Sequence, residues 1–318
     1  MAEKRSKGQY YTQGNPFTLS PFLKWAEQIS LSSKIVLEPF AGSNNIVKSL
    51  QQAGLCHQFS AYDIEPADSF VEQRDTINSF PQGIEVCITN PPWLARNSAT
   101  RRGLDYPDTI HDDLYKHCLE LCLRNCGYVA ALIPASYLQS GLFRDRLSVY
   151  ILLHDRGMFN DTDNPVCLAL FGNRPSPQIK IYYDQKFIGF LDDLESKMPS
   201  PILHRKIRFN DPNGELGFVS FDNVREPSIR FCEVEDIDQY SIKISSRFFT
   251  RISGEFEEIP VLVKILNKRL DTLRSETQDI FLTPFKGLRK DGCYRRRMEF
   301  TLARKIINAT LASENRPC

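Results

Sequence analysis

Residues 35–54 narrow the fold more than any other stretch of this 318-residue chain. Ile35-Val36-Leu37 is a short, β-rich apolar run, and it leads directly into Glu38-Pro39-Phe40-Ala41-Gly42-Ser43-Asn44-Asn45. Ile46, Val47, Leu50 and Ala53 then follow at helical spacing before the stop signal Gly54. Strand, small-residue turn and helix form the first unit of a doubly wound sheet, where a ligand lies over the strand's carboxyl end. A second run, Phe59-Ser60-Ala61-Tyr62-Asp63-Ile64, carries an acid about 25 residues after Glu38, a spacing suited to a ribose contact. A third acid, Asp75, sits in Gln73-Arg74-Asp75-Thr76-Ile77. Ordinary α/β turns would supply single pieces of this pattern; three such acids arriving in order set it apart.

The next apolar run, Ile84 to Ile88, ends in Thr89-Asn90-Pro91-Pro92-Trp93. Asn90 offers an amide oxygen, and Pro91 a carbonyl aimed by its ring. Pro92 stiffens the turn, while Trp93 supplies a flat apolar plate for stacking. Such a group suits a planar substrate with an –NH2, whose two N–H bonds need two acceptors. An aromatic amine is a poor nucleophile because its lone pair is delocalised. Two acceptors pulling on both hydrogens favour a more tetrahedral nitrogen with its lone pair free.

These residues together resemble a class I S-adenosylmethionine-dependent methyltransferase of the DNA amino-methyltransferase family, and within it the adenine-N(6) enzymes. Lys7-Gly8-Gln9-Tyr10-Tyr11-Thr12 resembles the family's amino-terminal motif, which contributes to the cofactor pocket, with Gln13 in place of the usual Pro. By the same resemblance, Glu38, Pro39, Ala41 and Gly42 would lie under the methionine part of S-adenosylmethionine. Asp63, with Ile64 beside it, would take the ribose hydroxyls, and Asp75 the adenine amine. Asn90 to Trp93 resembles the catalytic motif. The family usually has a second Gly near Asn44, where this chain has none. The likeness spans roughly residues 7 to 172, in the family's gamma order of motifs.

Composition agrees without leading there. The chain is long enough for one large domain and a smaller one, and its 42% hydrophobic and 25% charged content is that of a soluble globular protein. No apolar run approaches membrane-span length, and Met1-Ala2-Glu3-Lys4-Arg5 does not read as a signal peptide. Nine cysteines without a small disulfide framework suggest reduced thiols in a cytosol. Cys118, Cys122 and Cys126, four apart on a helical pattern, lack the paired Cys-x-x-Cys usual for zinc and are expected to pack in the core. Cys167 follows Pro165-Val166, which is not the Pro-Cys order of a covalent cytosine mechanism; Pro317-Cys318 has that order but follows no strand.

The pattern continues with a polar loop, 94–112, carrying Arg96, Arg101 and Arg102, then a helix over 113–125 and a strand over 127–134. A helix is expected over 143–147, and closing strands over 150–154 and 166–171. In the family the loop between those strands borders the target base, which makes Phe159 a candidate contact or a plain core cap. Asn173-Arg174-Pro175-Ser176-Pro177 reads as a domain boundary. Beyond it come short β-rich runs at 179–183, 217–221 and 240–244, then helical patterns at 260–274 and 299–311. Lys286, Arg289, Lys290, Arg295, Arg296 and Arg297 cluster around a single acid, Asp291. Beside a base-modifying domain such a run suits phosphate or groove contacts.

The expected architecture is therefore α/β: a class I methyltransferase with a Rossmann-like, doubly wound, mostly parallel sheet over residues 1–173, followed by a carboxyl-terminal α+β target-recognition domain over 174–318. The resemblance implies a cytoplasmic, nucleoid-associated bacterial or archaeal enzyme, monomeric, acting on double-stranded DNA without a metal, and sharing its site with a cognate restriction endonuclease. Enzymes acting on RNA bases, cytosine-N(4) or protein glutamine share the Asn-Pro-Pro-aromatic motif, and a non-catalytic DNA-binding module could share the fold.

Overall fold

The computed structural model of the chain describes residues 12–154, 158–159, 164–200 and 205–314. They fall into two units that divide between Leu191 and Asp192. In the first unit, β1 (Ile35–Glu38), β2 (Gln58–Asp63), β3 (Glu72–Gln73), β4 (Val86–Thr89) and β5 (Tyr128–Pro134) run parallel. β6 (Leu147–Leu153) and β7 (Val166–Phe171) follow, with β7 inserted antiparallel between β5 and β6. β8 (Lys180–Tyr183) and β9 (Lys186–Phe190) extend that edge, giving the order β3-β2-β1-β4-β5-β7-β6-β8-β9.

The apolar runs are continuous because both faces of this sheet are covered. Every residue of β4 is buried, as is Val129 through Ile133 in β5. Helix α1 (Ser20–Gln28) buries Phe22, Trp25 and Ala26; α2 (Asn45–Gln52) buries Ile46, Val47 and Leu50. α3 (Arg96–Arg102) interrupts what the sequence suggested was a plain polar loop. α4 (Leu114–Asn125) places Leu114, Cys118 and Cys122 on one buried stripe, and the Asp113 carboxylate accepts from the Tyr115 N–H at its start. Such a cap is worth about 1 kcal/mol. Cys118, Cys122 and Cys126 all lie in the core as free thiols.

Two expectations in this unit are corrected. Residues 143–147 form no helix: Phe143 takes a left-handed conformation (φ 54°), and Leu147 already opens β6. Arg146 explains the turn, since its guanidinium donates to the carbonyls of Leu123, Cys126, Gly127 and Gly172 and fixes the strand's entry. The unit also continues past residue 173. β8 pairs in parallel with β6, Val149 facing Lys180, so the chain after the proline-rich segment stays with the sheet until Leu191.

The second unit is α+β. β10 (Arg208–Phe209), β11 (Leu216–Val219), β12 (Arg230–Glu233) and β13 (Phe249–Ser253) form an antiparallel sheet in the order β10-β13-β11-β12. β14 (Thr283–Leu288) and β15 (Tyr294–Arg297) make a separate hairpin. Helices α5 (Ile259–Thr277) and α6 (Phe300–Glu314) complete it, and Phe218, Phe231, Leu266 and Ile307 belong to one core. The strand expected over 240–244 is absent. Ile244 is 94% exposed, so its alternating apolar residues have no face to bury, and Asn210 Nδ2 ties the carbonyls of Ile244 and Ser246 into a loop instead.

Candidate active site

The register of the parallel strands brings the ends of three motif-bearing strands to one edge. Val36 pairs with Val86 and Glu38 with Ala61, so β1, β2 and β4 end together at Glu38, Asp63 and Thr89. Glu38 is buried. Its Oε1 accepts from the Thr89 hydroxyl at 2.6 Å and the Phe40 N–H at 3.1 Å, while the buried Oε2 has no hydrogen-bond partner. Burial pushes this carboxyl up to about 8; the Thr89 and Phe40 bonds oppose the shift and the nearby charge of Asp63 adds to it.

The turn after β1 is stitched to β2. Ala41 N–H donates to the Tyr62 carbonyl, and Gly42 N–H to Asp63 Oδ2 at 2.8 Å. Pro39's carbonyl accepts from the buried Thr76 hydroxyl. Gly42 is left-handed (φ 50°), and so is Asn44 (φ 62°), just before α2. Asn is the residue other than Gly that takes this conformation most readily. Asn44 therefore makes, without a glycine, the left-handed bend that leads into α2.

Asp63 and Asp75 line a cavity of about 350 Å³ with Phe40, Ile64, Asn90 and Pro92. Both carboxylates are held by local N–H groups: Asp63 Oδ1 accepts from Glu65 N, and Asp75 Oδ1 from Ile77 N and Asn78 N. Carboxylate oxygens keep further acceptor capacity after such bonds. A smaller cavity, about 20 Å³, is lined by Thr12, Glu38, Ala41, Asn45 and Asn90. Phe40 and Asn90 belong to both.

β4 delivers Asn90 and Pro92 to the larger cavity and Asn90 to the smaller, while Pro91 and Trp93 line neither of the two. Trp93 is buried, and the ring of Phe159 meets it edge-to-face with centroids 5.1 Å apart. Phe159 in turn makes an antiparallel bridge to Thr12, whose carbonyl accepts from Asn45 Nδ2 at 2.7 Å. Phe159 thus backs the tryptophan. Tyr11 and the rest of the Lys7–Tyr11 motif lie outside the described residues. The sequence reading quoted Thr89, Asn44 and Asn45 within its motifs but gave none of them a place in the site.

The arginines divide sharply. Arg96 is committed within its own loop, donating to the carbonyls of Thr109 and His111 and lying over the Tyr106 ring, so it is corrected from a DNA contact to a loop clamp. Arg101 and Arg102 are exposed on α3. In the second unit Arg289 and Arg296 are buried and likewise corrected. Arg289 ion-pairs with fully buried Asp222 and with Asp291. Arg274 meets Asp222 through two bonds of 3.0 Å. A buried carboxylate needs such partners, and the basic run supplies one. Arg297 pairs with Glu299, Arg295 lies over Phe221 and Phe285, and Lys286 and Lys290 are exposed.

The strand order of the first unit, with one antiparallel strand set between β5 and β6, decides the fold. It is the class I methyltransferase fold. No protein-family model matches the chain. No curated protein matches it either. Solved structures similar to it include a modification subunit of a putative type I restriction enzyme from Vibrio vulnificus YJ016, at TM-score 0.39 and 13% identity, covering 55% of this chain and 47% of that one. A type I restriction-modification methyltransferase subunit from Streptococcus thermophilus gives 0.38 and 15%, covering 55% and 47%. A putative class I S-adenosylmethionine-dependent methyltransferase from Listeria monocytogenes gives 0.39 and 13%, covering 55% and 66%. The chain thus spans about half the length of the two restriction-system subunits. Among the described residues, no helix is long and apolar enough to cross a membrane.

Proposed function

We propose that this chain transfers a methyl group from S-adenosylmethionine to the exocyclic N(6) amine of adenine in a short sequence of double-stranded DNA. The observation that carries the reading is the position of Asn90. It follows β4 and lines both the larger cavity, with Asp63 and Asp75, and the smaller one, with Glu38.

The residues present fit the cofactor. Glu38 has a buried carboxyl oxygen without a partner beside the smaller cavity, where an ammonium group would be matched. Asp63 and Asp75 offer the larger cavity acceptors for ribose hydroxyls and an adenine amine. When bound, S-adenosylmethionine supplies a methyl group made electrophilic by its sulfonium.

The chain's part is orientation, which holds the attacking nitrogen in line and excludes water. Asn90 Oδ1 and the Pro91 carbonyl accept the two amine hydrogens. Trp93, backed by Phe159, stacks on the base. A duplex hides that amine, so the base is flipped out. The second unit selects the sequence, and methylation there protects it from an endonuclease reading the same site.

Sequencing DNA from cells expressing the chain, with detection of modified bases, tests this directly. N(6)-methyladenine in a fixed sequence context is expected. Unmodified DNA alongside methylated RNA or protein would overturn the substrate assignment, and no transfer to any acceptor would leave a binding module with this fold.

A further inference from the structure

The second unit carries a band of aromatic side chains that its own core does not use up. Tyr240 stacks on Phe249 with centroids 3.7 Å apart and planes 6° from parallel. Phe249 meets Phe221 at 5.5 Å, and Phe221 meets Phe248 at 4.8 Å and Phe285 at 6.4 Å. Tyr240 and Phe248 remain 41% and 48% exposed, and Ile244 on the loop between them 94%. Isolated exposed apolar residues are ordinary, but a connected set marks an interaction surface.

Charge narrows the partner. Lys243 and Arg247 lie on the same loop, and Lys286 follows Phe285; all three are exposed, and none forms a salt bridge among the described residues. No acid occurs between Tyr240 and Phe249.

Arg295 is the most constrained of the cations. Its guanidinium carbon lies 4.6 Å from the Phe285 centroid and 5.5 Å from that of Phe221, while its Nε donates to the Asp222 carbonyl at 2.8 Å. That carbonyl belongs to the residue whose carboxylate holds Arg274 and Arg289. The plane of Arg295 is therefore oriented by a buried network, and among the described residues its terminal nitrogens make no hydrogen bond. A fixed planar fork is what bidentate recognition of phosphate oxygens or a guanine edge requires. Its neighbours lack this freedom: Arg296 is buried and Arg297 is engaged by Glu299.

We infer that the face formed by the 240–248 loop, Phe285, Lys286 and Arg295 docks duplex DNA, with Arg295 as the base- or phosphate-reading side chain of the 286–297 basic run and Ile244 and Phe248 as apolar contacts in a groove. This assigns the partner surface of the second unit and rests on the DNA reading above. Lys243, Arg247 and Lys286 meet backbone phosphates, which position without reading sequence. The exposed apolar tips reach base edges or wedge between steps.

The test is binding of the full chain to a fluorescein-labelled random-sequence DNA duplex across a salt series, read by anisotropy. The variant Lys243→Ala/Arg247→Ala/Lys286→Ala should bind at least tenfold more weakly, with a salt slope flatter by about three units. Arg295→Ala should lose affinity and Arg295→Lys should not restore it, because an ammonium cannot reproduce the fork. Since Arg295 touches the unit's interior, Ile244→Ser serves as a variant at a side chain 94% exposed, and it should weaken binding with an unchanged thermal midpoint. Lys264→Ala, exposed on α5, is the control. If wild type binds DNA and all these variants bind equally well, this inference falls while the methyltransferase reading stands. If wild type ignores duplex DNA but binds RNA or anionic vesicles, both the surface assignment and the DNA substrate fall.

Discussion

The Thr89 hydroxyl donates to the Glu38 carboxyl at 2.6 Å, joining the ends of β4 and β1 beneath the pocket. One bond thereby links the acid of the first motif to the strand that carries Asn90. Because Glu38 is buried and pushed up to about 8, it is mainly protonated at neutral pH in the free protein.

That raised value sets a sign. Between the ordinary carboxyl range near 4.5 and about 8, the unfolded chain has released the Glu38 proton and the folded chain has kept it. The native state then binds more protons, so this residue's contribution to stability falls as pH rises through that window. Glu38→Gln keeps the acceptor for Thr89 without the charge. It should match wild type near pH 4.5 and exceed it in thermal midpoint at pH 8 and above. Parallel curves for the two proteins across that range would refute the buried neutral carboxyl.

The same proton should appear on ligand binding. An ammonium group beside Glu38 favours the ionised carboxylate, so S-adenosylmethionine binding at pH 7 should release protons and tighten as pH rises toward 8. Calorimetry in buffers of different ionisation enthalpy measures the release. Glu38→Gln should show none of it.

Asp63 serves the turn as well as the cavity, through its bonds to Gly42 N and Glu65 N. Asp63→Ala should therefore lower thermal stability and also weaken cofactor binding by roughly 1.5–3 kcal/mol, the range for a bond to a charged group. Asp75→Ala should weaken binding as well. Calorimetric titration with unchanged affinity in both variants would remove the cofactor assignment.

Asn90→Ala should fold and still bind the cofactor, because the residue follows a strand end and lines the cavities. Transfer should drop by about 10²–10³, the usual cost of one preorganised polar contact in a transition state. Trp93→Ala should lose a stacking interaction of roughly 1–3 kcal/mol, and Trp93→Phe should recover much of it. Single-turnover assays on an adenine-containing duplex separate these outcomes, and an active Asn90→Ala enzyme would make the motif a structural turn.

Asp222→Ala should cost the second unit about 1–3 kcal/mol, since Arg274 and Arg289 lose their shared buried partner while Arg274 keeps Asp279 and Arg289 keeps Asp291. Urea unfolding measures it. A loss below 1 kcal/mol would mean that the network is incidental.

The parallel half of the first unit was readable in the sequence because buried strands are short continuous apolar runs and their ends carry chemistry. Glu38, Asp63 and Asn90 all stood at such ends. The second unit was far less legible. Arg289 read as surface charge, since nothing near it in the chain reveals a buried Asp222 67 residues away, and so did Arg296, whose guanidinium donates to the Leu282 carbonyl. The run at 240–244 showed strand-like alternation, yet lateral hydrogen bonding to Asn210 decides its course. Arg146 misled for the same reason, its four carbonyl partners coming from distant turns.

The bridge between Thr12 and Phe159 joins residues almost half the chain apart. Closing so long a span gains nothing locally and carries a large loop entropy, so it forms only once the sheet between them is in place. The seam should therefore be among the first parts of the first unit to open. Amide hydrogens at Gln13, bonded to the Met158 carbonyl, should exchange well ahead of those in β4 and β5. A protein with an intact sheet and an open seam would retain nearly all its secondary structure and lose the wall behind Trp93, so that its spectrum would look native while its pocket would not.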